Sequence, residues 1–446
     1  MTDAPLQPSL SAIQPSLRIA TSLKRAGLHA PIALFLAGLL STAASAQTTL
    51  TWQQIKDKFE AVNPTLKAAQ LSIDESRAEE ITAYLRPNPG LSVGIDQLPF
   101  LPQLSPTGET VFRPLANLLP SVSLSYLHER DQKRELRRDV QKKTTDVTAS
   151  AYSDQERTLM FTLRNAYVQV LQNKAFLQNA KENLDYWDRE LRIDKLRFDA
   201  GDLAQIDYDR LRLQRIPFES DLETATVNLR TAKIQLLQLL NDRTPIDQFD
   251  ITGTYDYNDS LITMEEFQNM ALNARPDLRE AMQNVELARL NHKLAVSNGS
   301  TDPTFGLDVA SNPPIYAYIG VNVSIPLRIF DRNQGEKAKT QIDIGRNERL
   351  VDAAQAQVFN DVDSAYVTLS GVLSILRPYK TEYLKLAGDT RDKVQFAYQN
   401  GGASLIDYLD AEQTYRTTRL AYLNLIGSYL TAAAQMNMAV GREVLQ

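Results

Sequence analysis

Cysteine is absent from this chain of 446 residues. Disulfides, thiolate metal sites, thiol nucleophiles and a lipid-carrying N-terminal cysteine are therefore excluded. Histidine is nearly as scarce, with three residues in the whole chain. His128 and His292 lie far apart, and neither stands at a zinc-binding spacing from a glutamate, so we expect no metal site and no cofactor. There is also no phosphate loop, nucleophile elbow or Ser/His/Asp set, and we expect no catalytic residues and no enzyme.

Long apolar runs are missing as well. Residues 1–46 have the pattern of an export signal, with basic residues before the apolar run 32–40 and a small-residue end at Ala46. That run is too short to cross a bilayer as a helix. Cleavage after Ala46 would leave a chain without any stretch near 18 continuous apolar residues. The alternative interpretation is an uncleaved anchor.

The net charge is acidic, at −6. The signal segment is itself basic, so the rest of the chain is more acidic still. An acidic surface argues against nucleic acid as a partner. The basic cluster 133–143 alternates with acidic residues and is more simply interpreted as a solvated helix face.

The sequence contains an internal repeat. Ala-Tyr-Val at 166–168 and Ile-Asp-Tyr at 206–208 both recur about 200 residues later, at 365–367 and 406–408. After each closing tyrosine, a mostly apolar seven-residue repeat continues for about four heptads, which is typical of helices that pack along their length. We therefore predict a signal peptide at 1–46, a first structural repeat at 47–245 and a second at 246–446.

Each repeat is predicted to run helix, strand, loop, strand and long helical hairpin. In every strand, apolar residues alternate with Gly, Ser, Asn or Asp, so the two faces differ. A membrane barrel with water inside requires this alternation, but a half-buried soluble sheet has the same pattern. The predicted elements are strands at about 91–96 and 121–127 with a hairpin at 150–241, and strands at about 304–310 and 318–326 with a hairpin at 334–440.

The hairpin arms are too long for a compact single domain. Each arm has about 40 residues, or about 60 Å of helix. Four strands also cannot close a barrel, for which eight is the small end. Several chains could pool their strands into one barrel and their helices into one tube. The fold class predicted is mainly α with a small β part.

Several short motifs stand in a fixed order on this duplicated chain. Together they resemble the TolC-type outer-membrane efflux channel family over essentially the whole chain after the signal. The segment 330–335 is most similar to the branch that serves heavy-metal cation pumps, whereas the lipidated cysteine of many members is absent. The motifs are Arg275-Pro276-Asp277-Leu278, answered by Asn63-Pro64-Thr65-Leu66; Ile325-Pro326-Leu327, then Phe330-Asp331-Arg332-Asn333-Gln334-Gly335; and the turns Phe198 to Asp202 and Tyr398 to Gly402.

The resemblance implies a homotrimer. Twelve pooled strands would form one barrel in outer-membrane lipid, and the helices would continue it as a periplasmic tunnel. A periplasmic adaptor (membrane fusion protein) and an inner-membrane efflux pump would be the partners. The chain would then be a passive exit duct for substrates such as heavy-metal cations or drugs. The alternative is a periplasmic coiled-coil scaffold or adaptor whose strands form a soluble sheet.

The resemblance also assigns roles to the hairpin turns. The turns would be periplasmic tips that contact the adaptor, although a plain helix reversal explains their glycines equally well. Acidic residues just after the second turn would form a cation-attracting ring, although an aspartate is also favourable at a helix N-terminus. The predicted adaptor contacts are Gly201, Asp202, Gly401 and Gly402, and the candidate gate residues are Asp407, Asp410, Arg416 and Arg419.

Overall fold

The computed structural model describes residues 48–96, 101–104, 106–111, 118–312 and 314–445, and the predicted signal segment 1–46 lies outside them. The described part is mainly helical with a small β part, as predicted. Its helices are α1 (Trp52–Val62), α2 (Pro64–Ala83), α3 (Lys133–Asp199), α4 (Gln205–Leu239), α5 (Met264–Ala274), α6 (Pro276–Ser297), α7 (Gln334–Pro378), α8 (Leu384–Gln399) and α9 (Leu405–Val440). Its strands are β1 (Thr48–Leu50), β2 (Gly90–Asp96), β3 (Gln103–Leu104), β4 (Thr110–Val111), β5 (Leu119–Leu127), β6 (Phe249–Ile251), β7 (Thr304–Asn312) and β8 (Ile315–Ser324).

The two repeats begin with the same helical signals. Thr51 caps α1 and Thr263 caps α5, each in a capping box with the residue three positions later. Both helices then stop at an X-Pro step, because the residue before a proline is driven out of the helical region. Asn63 begins the next helix by accepting the backbone N–H groups of Thr65 and Leu66 at 3.0 and 3.1 Å.

A short parallel strand pair joins the start of the chain to the segment between the repeats. Strand β1 pairs with β6 from Thr48↔Phe249 to Leu50↔Ile251. Phe249 and Ile251 are fully buried in the core of the first repeat. The stretch between the two repeats is therefore held in place by pairing and burial, for which the sequence gives no periodic signal.

Strands β2, β5, β7 and β8 form one antiparallel sheet in that order. The two repeats thus meet along the β5–β7 pair. Strand β8 begins at Ile315 and ends at Ser324, so the predicted range 318–326 starts late and ends late. The later end is excluded because Pro326 has no N–H to donate to a neighbouring strand.

The long hairpins follow the sheet. Helix α3 has 67 residues, or about 100 Å at 1.5 Å per residue, and it begins at Lys133 rather than at the predicted 150. Helix α4 continues through Pro217, whereas α7 ends at Pro378 and a π-helical turn, Tyr379–Tyr383, leads into α8. Within the described residues, no helix combines the length and the apolarity needed to cross a membrane.

Three apolar clusters hold the helices together. One packs α1 and the β1–β6 pair against α3 and α4, and a second packs α5 against α7 and α9. The third joins the hairpins of both repeats near their turns, where Trp187 and Phe218 of the first repeat meet Tyr398 and Tyr408 of the second. The two repeats are therefore packed on each other as well as paired in the sheet.

Arg275 connects three helices of the second repeat. It is 3% exposed and its guanidinium binds Asp277 through two nitrogens. Its Nη1 donates to Asp361 of α7 at 2.7 Å and to the carbonyl of Ala439 in the last turn of α9 at 3.3 Å. A cation there also offsets the partial negative charge of the helix C-terminus.

Replacing Arg275 with Met should lower the free energy of unfolding by about 3 kcal/mol, because two carboxylates and a carbonyl lose their shared donor. Arg275→Lys should cost less, since it keeps the charge and loses only the planar fork. Thermal loss of helical circular dichroism in detergent would measure both. If the Arg275→Met variant has the same melting temperature as the unaltered chain, this network does not stabilise the fold.

Candidate functional site

The four-stranded sheet has one apolar and one polar face. Cross-strand partners place Leu91, Leu124, Leu307 and Val321 in one row, and Val93, Val122, Val309 and Ile319 in the next. These side chains keep 46% to 79% of their surface exposed. The helices of the chain therefore leave this apolar face uncovered.

The opposite face is polar and built around glycines. Gly90, Ser125, Gly306 and Asn322 form one row, and Ser92, Ser123, Asp308 and Gly320 form the next. Each glycine lies beside a side chain that occupies the space a Cβ would need; for example, Asn322 lies over Gly306. Polar groups thus lie flat on the sheet, as suits a surface that faces water.

The two hairpin turns have the same backbone geometry. Gly201 and Gly401 adopt left-handed φ angles of +86° and +77°. The next N–H groups, of Asp202 and Gly402, donate to the carbonyls of Arg197 and Ala397 at 2.8 and 2.7 Å, which closes each helix in a Schellman motif. Gly402 itself has no left-handed φ, so only the first glycine of its pair is required by the turn. All four predicted tip residues are exposed.

An aromatic stack lies directly inside these turns. Tyr408 is fully buried, and its ring stacks on that of Tyr398 with centroids 5.2 Å apart. Its hydroxyl lies 3.2 Å from the hydroxyl of Tyr186, which belongs to the other repeat. Leu203 and Leu405, one just after each turn, close this cluster. The exposed turns are thus mounted on a rigid base shared by both hairpins.

The two aspartates predicted to form a gate line one exposed groove between α8 and α9. Asp407 is the third residue of α9 and accepts the Ser404 hydroxyl at 2.6 Å in a capping box. That hydroxyl, followed by the Ser404 N–H, lowers the pKa of Asp407 below its usual value. Asp410 is exposed one turn later. A helix-capping role therefore accounts for part of the sequence signal at Asp407.

The two predicted gate arginines point elsewhere, toward the first repeat. Arg416 is 8% exposed and donates from Nη2 to Asp221 of α4 at 2.7 Å, with its guanidinium 4.1 Å from the ring centre of Phe218. Arg419 pairs with Glu182 of α3. Both arginines thus bind acidic residues of neighbouring helices within the same chain, and neither is paired with Asp407 or Asp410.

The sequence analysis missed three buried acidic residues beside this cluster. Glu190 and Asp194 on α3 and Glu412 on α9 are 9%, 3% and 3% exposed. Burial raises the pKa of Asp194 and that of Glu412 to about 6 each. Each has an arginine nearby that opposes this shift only in part: Arg197 Nη1 donates to Asp194 at 3.3 Å, and Arg391 Nε lies 4.0 Å from Glu412. Spacing alone could not reveal them, because acidic residues on a helix usually face water.

In the part of the chain that the structure describes, no group of three His, Asp or Glu side chains is arranged to hold a metal ion. His292 is paired with the Thr340 hydroxyl at 3.0 Å, and His128 packs edge-on against Phe305.

Replacing Glu412 with Gln should stabilise the helices around the turns at neutral pH. The folded chain holds protons on Asp194 and Glu412 more tightly than the unfolded chain, so stability falls as the pH rises from about 4 to about 6. Removing the Glu412 carboxylate should raise the free energy of unfolding by about 2 kcal/mol at neutral pH and by almost nothing near pH 4.

Hydrogen exchange of the α3 and α9 amides near the turns would measure this difference at both pH values. Glu223→Gln is the matched control, because Glu223 is exposed on α4. Equal protection in the Glu412 variant and the unaltered chain at neutral pH would mean that burial of this acid has no energetic cost.

The sequence is similar to a family model and to several known proteins. Residues 268–442 match the family model described as Outer membrane efflux protein. The cobalt-zinc-cadmium resistance protein CzcC of Cupriavidus metallidurans is 24% identical over 391 residues, which cover 85% of this chain and 87% of that protein. The outer membrane protein TolC of Escherichia coli is 22% identical over 68% of this chain, and the match spans 65% of its length, just under two thirds.

The fold is shared with solved structures. CusC, a protein for which transmembrane channel formation is described, superposes with a TM-score of 0.72 at 17% identity, covering 87% of this chain and 92% of that one. The family match, the similarity to CzcC and TolC and this common fold confirm the predicted resemblance of the chain to TolC-type outer-membrane efflux proteins, with the heavy-metal branch close.

Proposed function

We propose that this chain is the exit duct of a tripartite efflux system. It is a transport protein and not an enzyme, and its location is the outer membrane, with the hairpins extending into the periplasm. The observation that carries the proposal is the two-faced sheet, whose apolar rows are exposed while its polar rows are lined by Gly, Ser, Asn and Asp. Lipid on one side and water on the other would satisfy both faces.

The proposed assembly is a homotrimer. Four strands leave both sheet edges, β2 and β8, open to further pairing. Three copies would pool twelve strands into one barrel and remove every edge. The predicted alternative, a periplasmic scaffold with a soluble sheet, requires the chain to cover its own apolar rows, and their exposure weighs against it.

The proposed partners are a periplasmic adaptor at the turns and an inner-membrane pump behind it. Gly201, Asp202, Gly401 and Gly402 are exposed on a rigid aromatic base, as a docking surface requires. We keep Asp407 and Asp410 as the proposed gate, since both face one open groove and would repeat around a threefold axis. Arg416 and Arg419 would restrain that gate indirectly, by tying α9 to the first repeat.

The proposed cargo is heavy-metal cations. CzcC is a cobalt-zinc-cadmium resistance protein, and that function is carried to this chain only as a proposal. A duct that releases what enters it needs weak binding, and the absence of a three-ligand metal cluster among the described residues is compatible with such passage.

Leu124→Arg should prevent insertion into the outer membrane. Leu124 lies in the middle of β5 on the apolar face, where an arginine in lipid costs about 2 to 4 kcal/mol. Ser123→Arg is the matched control, because the neighbouring residue faces the polar side of the same strand. The measurement is the amount of heat-resistant trimer in outer-membrane fractions. Equal loss with both variants, or an unaltered chain found as a soluble periplasmic protein, would refute the proposal.

Asp202→Arg should abolish resistance to cobalt, zinc and cadmium salts while the trimer stays intact, because it reverses the charge at an exposed turn. Gly201→Ala is the control: it strains the left-handed turn by about 1 kcal/mol without changing charge, and it should reduce resistance far less. Full resistance with Asp202→Arg would remove this turn from the adaptor contact.

A further inference from the structure

All charged residues in the strands of the four-stranded sheet are acidic. Its strands β2, β5, β7 and β8 contain no Lys, Arg or His and two acidic residues, Asp96 and Asp308. Both belong to the polar face, because they continue the period of two set by Gly94 and Gly306. Asp96 is the last residue of β2, whereas Asp308 is the middle residue of β7. Asp308 is thus the acidic residue placed well inside this face.

Neutral groups hold the Asp308 carboxylate in place. Asp308 faces Gly320 across the β7–β8 pair, and a Cβ on Gly320 would lie 2.2 Å from its Oδ2, so the carboxylate uses space that a glycine leaves open. Asn322 donates from Nδ2 to Asp308 Oδ1 at 2.6 Å. Since the four strands carry no Lys or Arg, no cation of the sheet offsets this negative charge.

The position of Asp308 in its row determines where its carboxylate would lie in the proposed barrel. The strand register places Ser92, Ser123, Asp308 and Gly320 side by side across the sheet. In three copies this row would carry one carboxylate per copy at a single level of the barrel. A ring of carboxylates around a water-filled passage attracts cations and repels anions, and the effect weakens as salt screens it.

We propose that Asp308 is a selectivity residue of the duct: a ring of three Asp308 carboxylates inside the barrel gives the channel its preference for cations over anions. This inference rests on the proposed function, because it needs the polar face to line a water-filled barrel. It is distinct from the tip aspartates, which are separated from the sheet by the stretch Gln334–Gln399, about 100 Å of helix.

Single-channel recordings in planar bilayers under a tenfold KCl gradient test the proposal with the purified trimer. The reversal potential of Asp308→Asn should shift toward zero, because the variant keeps the size and the hydrogen-bonding capacity of the side chain and loses its charge. Ser92→Asp adds a carboxylate to the same row and should shift the reversal potential further toward the equilibrium potential of K⁺. Ser92→Asn is the neutral control and should leave it unchanged. Both shifts should shrink at higher salt.

The double variant Asp407→Asn with Asp410→Asn distinguishes the effect of Asp308 on ion selectivity from that of the tip aspartates. The Asp308→Asn shift should persist in that background, since the two groups of acids act at different places. Unchanged reversal potentials in both Asp308→Asn and Ser92→Asp would overturn the inference while leaving the exit duct standing. Failure of the unaltered chain to form any channel would overturn the proposed function and this inference with it.

Discussion

The structure depends on one unsatisfied surface, the apolar face of the four-stranded sheet. Rows such as Leu91, Leu124, Leu307 and Val321 run across all four strands and remain about half exposed or more. At about 25 cal/mol per Å² of apolar area, leaving such a surface in water is expensive for any protein. In the part of the chain that the structure describes, no helix covers this face, and we propose that lipid does. Lipid does so most simply, because the opposite face carries the polar groups that water requires.

The helices solve a different problem, which is how two similar hairpins stay in register over a great length. Apolar seams supply most of the contact, and a few buried polar groups fix the partners. Arg275 joins α6, α7 and the end of α9, while Arg416 and Arg419 tie α9 to both arms of the first hairpin. Near the turns the aromatic stack around Tyr408 lies beside three buried acidic residues, Glu190, Asp194 and Glu412. Burial raises the pKa of Asp194 and that of Glu412 to about 6, so the packing at that end of the hairpins responds to pH.

Much of this arrangement can be predicted from the sequence, because its strongest signals are periodic or local. Alternation of apolar and small residues marks all four sheet strands, and Gly201 and Gly401 mark the turns that need a left-handed φ. The remainder depends on contacts between distant residues. The three-residue strands β1 and β6 are too short to show a period, and the buried state of Asp194 and Glu412 follows only from which helices meet. At Asp407 the sequence allows two roles, since a capping residue and a gate acid look alike beside a turn; its hydrogen bond with Ser404 establishes the capping role and leaves the gate a proposal.

Because the sequence contains no cysteine, single cysteines can report which face of the sheet meets lipid. Single cysteines placed one at a time along β7, from Thr304 to Asn312, can be reconstituted in lipid vesicles and exposed to a water-soluble thiol reagent. We expect a period of two, with rapid labelling at Gly306, Asp308 and Ala310 and protection at Phe305, Leu307 and Val309. Uniform labelling, or the opposite alternation, would show that the apolar face does not meet lipid and would contradict the account.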